Sequence, residues 1–323
     1  MKALVTGGAG YIGSHLVDRL LADGHEVAVL DDLSVGKMAN IEHHLEDRRF
    51  QFIEGSVLNR SLVREALHDR DLIFHLAAVV GIPYIIDDPL RGILTNVVGT
   101  EVVLEATEEA GCRFIFASTS EIYGKSEKVP LSEEDDRLLG STRVYRWSYS
   151  TAKALDEHLV LAYHQKRGLP VVILRYFNSY GPRLDPQGYG SVVAKFIGQT
   201  LRGEPLTVHG DGQQTRSFTY IDDTVEGTVL AVKCDEANGE VFNIGREEET
   251  TILQLAERVK KITGSSSQII FVPYDDLYGS HFEDPRRRLP DASKAERLLG
   301  FKAQVGLAEG LKETVAWFRE NCP

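Results

Sequence analysis

The chain has 323 residues, of which 42% are hydrophobic and 26% charged, and a formal net charge of -12. This is the composition of a soluble globular protein with material for a sizeable core, and its length predicts one large domain or two unequal ones. The acidic balance argues against nucleic acid as the main partner, because phosphate binding needs a basic field. It leaves room for a small anionic substrate held in a local basic pocket. The three cysteines, Cys112, Cys234 and Cys322, are far apart and odd in number. They fit a reducing cytoplasm and offer no zinc spacing, so no metal is expected. No run is long enough to span a membrane, and the chain enters its first strand at once, so neither an anchor nor a signal peptide is expected.

In chain order, strands are predicted at Lys2 to Val5, Glu26 to Leu30, Phe50 to Ile53, Leu72 to His75, Arg113 to Ala117 and Val171 to Leu174. Helices are predicted between them, near Tyr11 to Ala22, Ser61 to Leu67, Asn96 to Ala110 and Tyr149 to Lys166. Strict alternation of this kind implies an α/β fold with a doubly wound parallel sheet covered by helices on both faces. After Arg175 the pattern is less regular. Gly181-Pro182-Arg183, the loop from Asp185 to Gly190, Gly203-Glu204-Pro205, Gly210-Asp211-Gly212 and Asp284-Pro285 punctuate it. The expected organisation is a domain over 1–175 and a smaller one over 176–323. Val241 to Ile244 is a further strand that could return to the main sheet. Ala256 to Ile262 and Leu307 to Phe318 have the apolar spacing of amphipathic helices.

The first strand runs into a glycine cluster and then a helix. Gly8, Gly10 and Gly13 fit G-x-G-x-x-G, and Gly7, Gly10 and Gly13 fit G-x-x-G-x-x-G equally well. Strand, glycine turn and helix together suit a dinucleotide. The glycines allow a tight turn and close backbone approach to a pyrophosphate, and the helix N-terminus presents free N–H groups. The second strand ends at Asp31-Asp32, about 20 residues on, where a carboxylate binds a ribose 2′-hydroxyl. An acid there repels a 2′-phosphate, which favours NAD over NADP.

Tyr149 and Lys153 form Y-x-x-x-K on one helical face. An ammonium beside a phenol favours the phenolate, so Tyr149 could serve as a base near neutral pH. Ser118-Thr119-Ser120-Glu121 leaves the carboxyl end of a predicted strand, on the side where a cofactor would lie.

Thr6 to Gly13, His75-Leu76-Ala77-Ala78, Ser118-Thr119-Ser120, Tyr149 with Lys153, and Arg175-Tyr176-Phe177-Asn178 with Gly181-Pro182-Arg183 occur in this order. Over essentially the whole chain they resemble the extended short-chain dehydrogenase/reductase family of nucleotide-sugar enzymes. The resemblance implies a Rossmann-type domain that holds NAD and a smaller C-terminal domain that binds a nucleoside diphosphate sugar. It gives Tyr149 as catalytic base, Lys153 as its partner and a ribose contact, and Thr119 as the hydroxyl that bonds the reacting group. Ser120 and Glu121 complete the catalytic set. Asp31 falls on the adenosine ribose, and Ser34, Gly36 and Lys37 at the adenosine end. Leu76, Ala77 and Ala78 would line the cofactor and Asn96 would support it. Gly7, Gly10, Tyr11, Ile12, Gly13, Asp32 and Tyr176 join the same contacts. Asn178, Val193, Arg216 and Arg288 are the implied substrate residues. Gly55-Ser56-Val57 departs from the family, in which an aspartate often stands near the adenine.

The implied first step is oxidation at C4 of a UDP-sugar. Ser120 stands where sugar 4,6-dehydratases carry an acid, which places dehydration third. Thr119-Ser120-Glu121, Arg146-Trp147-Ser148-Tyr149-Ser150 and the stretch from Tyr278-Gly279 to Arg288-Leu289-Pro290 resemble UDP-glucuronate decarboxylases. The whole-chain pattern also resembles UDP-sugar 4-epimerases, and 4-epimerisation is placed narrowly ahead of decarboxylation. A non-catalytic NAD-binding protein ranks last. The family further implies a homodimer, through the helices near Asn96 to Ala110 and Tyr149 to Lys166.

Overall fold

The structure, a computed structural model, describes residues 1–81, 87–185, 191–278 and 283–322. Its strands are β1 (Lys2–Thr6), β2 (Glu26–Asp31), β3 (Phe50–Glu54), β4 (Leu72–His75), β5 (Arg113–Thr119), β6 (Val171–Tyr176), β7 (Ser179–Tyr180), β8 (Leu206–His209), β9 (Thr215–Ser217), β10 (Thr219–Tyr220), β11 (Glu240–Ile244), β12 (Glu249–Thr251) and β13 (Ile269–Val272). The helices are α1 (Tyr11–Ala22), α2 (Arg60–Leu67), α3 (Pro89–Ala110), α4 (Arg146–Arg167), α5 (Val192–Leu201), α6 (Ile221–Lys233), α7 (Ile252–Thr263), α8 (Tyr274–Tyr278), α9 (Ser293–Leu299) and α10 (Leu307–Asn321).

The main sheet is parallel, in the order β11-β6-β5-β4-β1-β2-β3. Its strand residues alternate between two cores, as a sheet covered on both faces requires. Ala3, Val5, Val29 and Phe74 pack into one core, and Leu4, Ala28, Leu30 and Ile73 into the other. β11 comes from the later half of the chain and pairs with β6, so the sheet draws on both halves.

The strand order reverses between β1 and β4. Ligands in such sheets bind beyond the carboxyl ends of the strands at that switch point. β1, β2 and β3 each run one residue past the expected end, and β5 and β6 run two, to Thr119 and Tyr176, where the two residues pair. That pairing carries polar side chains to the rim of the sheet. α3 starts at Pro89 rather than Asn96, because the Asp88 carboxylate accepts the Arg91 N–H at 3.0 Å and proline suits the first helical position. Its end follows from Gly111, at φ 68°.

The later half holds elements that periodicity did not reveal: α5, α6 and three two-stranded sheets, β7 with β10, β8 with β13 and β9 with β12. These strands have two to four residues, too few for an alternating pattern to show. Part of the loop expected over 185–190, from 186 onward, lies outside the described residues, as does Gly279.

Candidate active site

Loops at the carboxyl ends of β1, β2, β4, β5 and β6 enclose a cleft of about 870 Å³ that also reaches α5, β8 and β9. The glycine turn forms one wall. Gly7 has φ +71°, and a Cβ there would lie 2.7 Å from the Ala77 nitrogen. A Cβ on Gly13 would meet the Gly7 carbonyl oxygen at 2.2 Å. Gly8 faces the core instead, where a Cβ would strike the Val29 methyl groups at 2.6 Å. The turn therefore uses Gly7, Gly10 and Gly13, the second of the two spacings. Tyr11 and Ile12 line the cleft beside them. Gly10 caps α1 without a side chain, so the N–H groups of the first turn remain available to an anion.

Asp31 ends β2. Its carboxylate accepts the Ala9 N–H at 3.0 Å and the Leu33 N–H at 2.9 Å, and burial pushes its pKa above the ordinary carboxylate range against those two bonds. A Cβ on Gly36 would lie 2.9 Å from this carboxylate, so the chain closes around it. Asp32 is exposed and accepts the Ser34 N–H at 3.0 Å. Lys37 stands 4.0 Å from Asp185. Gly55, Ser56 and Val57 line the same end of the cleft.

Leu76, Ala77 and Ala78 line the cleft against the Gly7 turn. Ala77 donates its N–H to the Thr6 hydroxyl at 3.3 Å. Asn96 is not on the wall. It clamps Val79 from behind, accepting the Val79 N–H at 2.8 Å and donating to its carbonyl at 3.1 Å. Tyr176 lines the cleft with its hydroxyl 2.8 Å from that of Thr228, and Asn178 lines it while donating to the Ser217 carbonyl at 3.0 Å. The expectation for Val193 needs correction. It is only 1% exposed and packs in the core, while Val192, one helical step away, faces the cleft.

This cradle fits a dinucleotide. Glycines stand where a side chain would fill the space, a helix start is left uncapped, and an acid closes the second strand. Two buried polar atoms on the wall, the Tyr11 hydroxyl and Arg183 Nη1, have no partner among the described residues.

Tyr149 and Lys153 enter from α4, and Thr119 from the end of β5. The expected lowering of the phenol by Lys153 is not present. Burial first, then the charges of Glu121 and Asp156, push the Tyr149 phenol up, and only its hydrogen bond with Thr119 works in the other direction. Lys153 points its ammonium at the Ala117 carbonyl, 3.0 Å away, and lies 4.4 Å from the centre of the Phe116 ring. Burial lowers the Lys153 pKa.

The far end of the cleft holds a cluster of charge. Arg288 Nη1 donates to Glu121 Oε1 at 2.7 Å, and Arg146 Nη2 lies 3.4 Å from Glu121 Oε2 and 3.1 Å from Asp284 Oδ1. Arg216 Nη2 donates to Asp284 Oδ2 at 2.8 Å, and the Tyr274 hydroxyl donates to the same oxygen at 2.9 Å. Three guanidinium groups thus face two carboxylates, a surplus of one positive charge. Burial alone would raise the Glu121 pKa, but Arg288 and Arg146 outweigh it and hold the group at about 2. Of the Arg286-Arg287-Arg288 run, the first two form exposed pairs with Asp211 and Glu249, and Arg288 turns inward. Ser120, 2% exposed, lines the cleft beside Glu121.

Sequence reasoning assigned no role to Arg146 or Asp284. Arg146 was visible in the Arg-Trp-x-Tyr stretch, and Asp284 in an Asp-Pro pair that read only as a turn. Away from the cleft, the described residues bring one His and acid set within metal-ligating range: Asp18, His43 and His44. Their polar atoms already bond one another at 3.0 and 2.6 Å, and Arg183 holds the other Asp18 oxygen at 2.7 Å.

A family model described as GDP-mannose 4,6 dehydratase matches residues 4–314. The chain is 43% identical over 320 residues to a UDP-N-acetyl-alpha-D-glucosaminuronate decarboxylase of Bacillus cytotoxicus, covering 99% of this chain and 98% of that one. It is 38% identical to UDP-glucuronic acid decarboxylase 1 of Xenopus tropicalis, covering 99% of this chain and 72% of that one. A crystal structure of UDP-glucuronic acid 4-epimerase from Bacillus cereus, with UDP-glucuronic acid and NAD, superposes with a TM-score of 0.89 at 36% identity and 99% coverage of both chains. With this agreement over nearly its whole length, the chain belongs to the GDP-mannose 4,6-dehydratase family of extended short-chain dehydrogenases/reductases.

Proposed function

We propose that this enzyme decarboxylates a UDP-hexuronate, UDP-glucuronate or its 2-acetamido counterpart, through a transient 4-keto sugar. The observation that carries this reading is Glu121, held ionised between Arg288 and Arg146 next to Thr119 and Ser120. A surplus positive charge in a partly dry site favours a sugar that brings its own carboxylate, because that charge gains more there than in water. The similarity to two uronate decarboxylases supports the same choice.

Residues 1–175 mainly hold NAD in this reading, with the Gly7–Gly13 turn at the pyrophosphate and Asp31 at the ribose, and residues 176–323 mainly hold the UDP-sugar. Bound NAD supplies the hydride acceptor and donor at C4. Ionised Tyr149, whose own phenol proton must leave first against burial, takes the proton of the 4-hydroxyl, and Thr119 bonds the same oxygen. The C6 carboxylate then lies β to a ketone, so the electron pair of the breaking C5–C6 bond passes into the carbonyl as carbon dioxide leaves, and the resulting enolate takes a proton from water at C5. Arg216 serves the diphosphate, while Arg288 and Arg146 neutralise charge at the uronate end. Glu121 has no proton to give at neutral pH, so its part is to hold the guanidinium groups in place. That also disfavours dehydration, which needs an acid for the leaving hydroxide.

The second reading is 4-epimerisation, favoured by the likeness to the Bacillus cereus 4-epimerase. It needs Thr119, Tyr149 and Lys153, and on a UDP-hexuronate the same ion cluster would meet the same carboxylate, so the likeness to the uronate decarboxylases is what ranks decarboxylation first. Incubation with NAD and, separately, UDP-glucose, UDP-glucuronate and the 2-acetamido uronate, with products read by mass, tests the choice. Loss of one carbon dioxide from a uronate is expected. A new sugar of unchanged mass would replace this reading with epimerisation.

We further propose that the chain dimerises through α3 and α4. These helices leave Leu90, Ile93, Leu94 and Leu155 exposed, from 40 to 66%. Light scattering on a sizing column that gives the mass of one chain would refute it.

A further inference from the structure

Behind the catalytic helix lies a charge that the mechanism does not use. Asp156 sits on α4 one turn beyond Lys153, is 0% exposed, and neither carboxyl oxygen makes a well-formed hydrogen bond among the described residues, the Thr100 hydroxyl acting on it only from outside that geometry. A buried carboxylate without hydrogen bonds is costly unless a nearby charge offsets it. Lys153 has the complementary need. It is 1% exposed, and its ammonium meets a neutral carbonyl, that of Ala117, and the face of a neutral ring, that of Phe116.

The other groups in this layer are committed elsewhere or neutral. Glu157, the next acid on α4, holds Arg175 of β6 through two bonds, at 3.0 and 2.7 Å, and also accepts from Ser118. Arg175 spends its remaining donors on the Tyr123 hydroxyl and the Glu133 carbonyl. From α3 comes the Thr100 hydroxyl, bonded to His75 of β4 at 3.1 Å. His75 in turn meets Thr6 at 2.8 Å, and burial lowers its pKa to about 3, so it is neutral. Glu121, beyond the end of β5, is taken by Arg288 and Arg146. Asp156 is thus the acid not committed to another cation, and its charge acts on Lys153 ahead of that of Glu157.

We propose that Asp156 is a positioning residue for the C4 proton transfer: it is the counter-charge of the Lys153 ammonium, and it sets the pH range over which Lys153 stays charged and Tyr149 ionises. The inference rests on the roles given above to Tyr149 and Lys153. The electrostatics agree in sign. Burial raises Asp156 to about 7 while Lys153 and the Thr100 hydroxyl pull it down, and the Asp156 charge raises both Lys153 and Tyr149. Removing that charge therefore lowers the pKa of both groups.

The test compares pH profiles of kcat and kcat/KM for the wild type, Asp156→Asn and Asp156→Ser, with UDP-glucuronate as the probe. Both limbs are expected to move to lower pH by about one unit in the variants. A folded variant with unmoved limbs, whatever its rate, overturns the proposal, because a packing role changes rate or Tm without moving a limb. Carbon NMR of carboxyl-labelled aspartate supplies a readout that needs no turnover and no substitution at 156. The wild type should show a carboxyl titrating near neutral pH that rises further in Lys153→Met. Its absence, or indifference to Lys153→Met, also overturns the pairing. If Tyr149→Phe keeps full turnover, the proposed reaction fails instead, while the NMR comparison still decides the Asp156–Lys153 pair.

Discussion

The two ends of the cleft are built from different materials. The cofactor end is made of backbone: a glycine turn, an uncapped helix start and strand ends held in register by the sheet. The sugar end is made of side chains, brought from β9, the turn after β5, the start of α4 and the segment 284–288. Backbone shape tolerates little change because any added atom meets a main-chain neighbour. A charge cluster tolerates changes of shape but not of charge. The conserved chemistry of a hydride store suits the first kind of site, and a choice among sugars suits the second.

Substitutions at the two ends should therefore fail differently. Tyr149→Phe, between them, should cost the most, lowering kcat about 10³-fold while leaving NAD binding intact, because the phenolic oxygen is the proposed proton acceptor. Turnover and NAD calorimetry on the same variant check this. Arg288→Met should come next. It strips Glu121 of its 2.7 Å partner in a site where Arg288 is 3% exposed, for a loss of about 3 kcal/mol in urea unfolding and a marked rise in KM for the uronate.

At the cofactor end, Gly13→Ala should cost about 2 kcal/mol and weaken NAD binding, since its Cβ would sit 2.2 Å from a carbonyl oxygen. Gly10→Ala, at 3.1 Å from the same oxygen, should cost clearly less. Equal effects at the two glycines would break the account of the turn. The smallest effect is one of pH. Glu121 is depressed from 4.5 to about 2, so its share of stability is present above its ordinary value and is lost as pH falls through about 2. Acid unfolding of Glu121→Gln should be flatter than wild type across that window and start from a lower stability.

Much of the cofactor end was legible in the sequence. Strand, glycine turn, helix and acid lie within the first thirty-odd residues, and local pattern is what a sequence displays. The choice between Gly8 and Gly7 was not legible, because only the fold shows that Gly8 faces Val29. The motif at Thr119 and Tyr149 could be read for identity but not for its field. Nothing in Y-x-x-x-K says that Lys153 turns to Ala117, or that burial outweighs it at the phenol. The sugar end was the least legible. Arg146 and Asp284 are more than a hundred residues apart and meet through tertiary packing alone. Val193 was misplaced by a single residue, an error that a helix converts into a change of face.

The central claim is that the ion cluster at the sugar end serves a reaction in which a carboxylate is lost. UDP-glucuronate labelled with carbon-13 at C6, incubated with the wild type and NAD, tests it most directly. The account predicts labelled carbon dioxide and an unlabelled UDP-pentose formed at the same rate. Full retention of the label in a nucleotide sugar, with turnover proceeding, would contradict it.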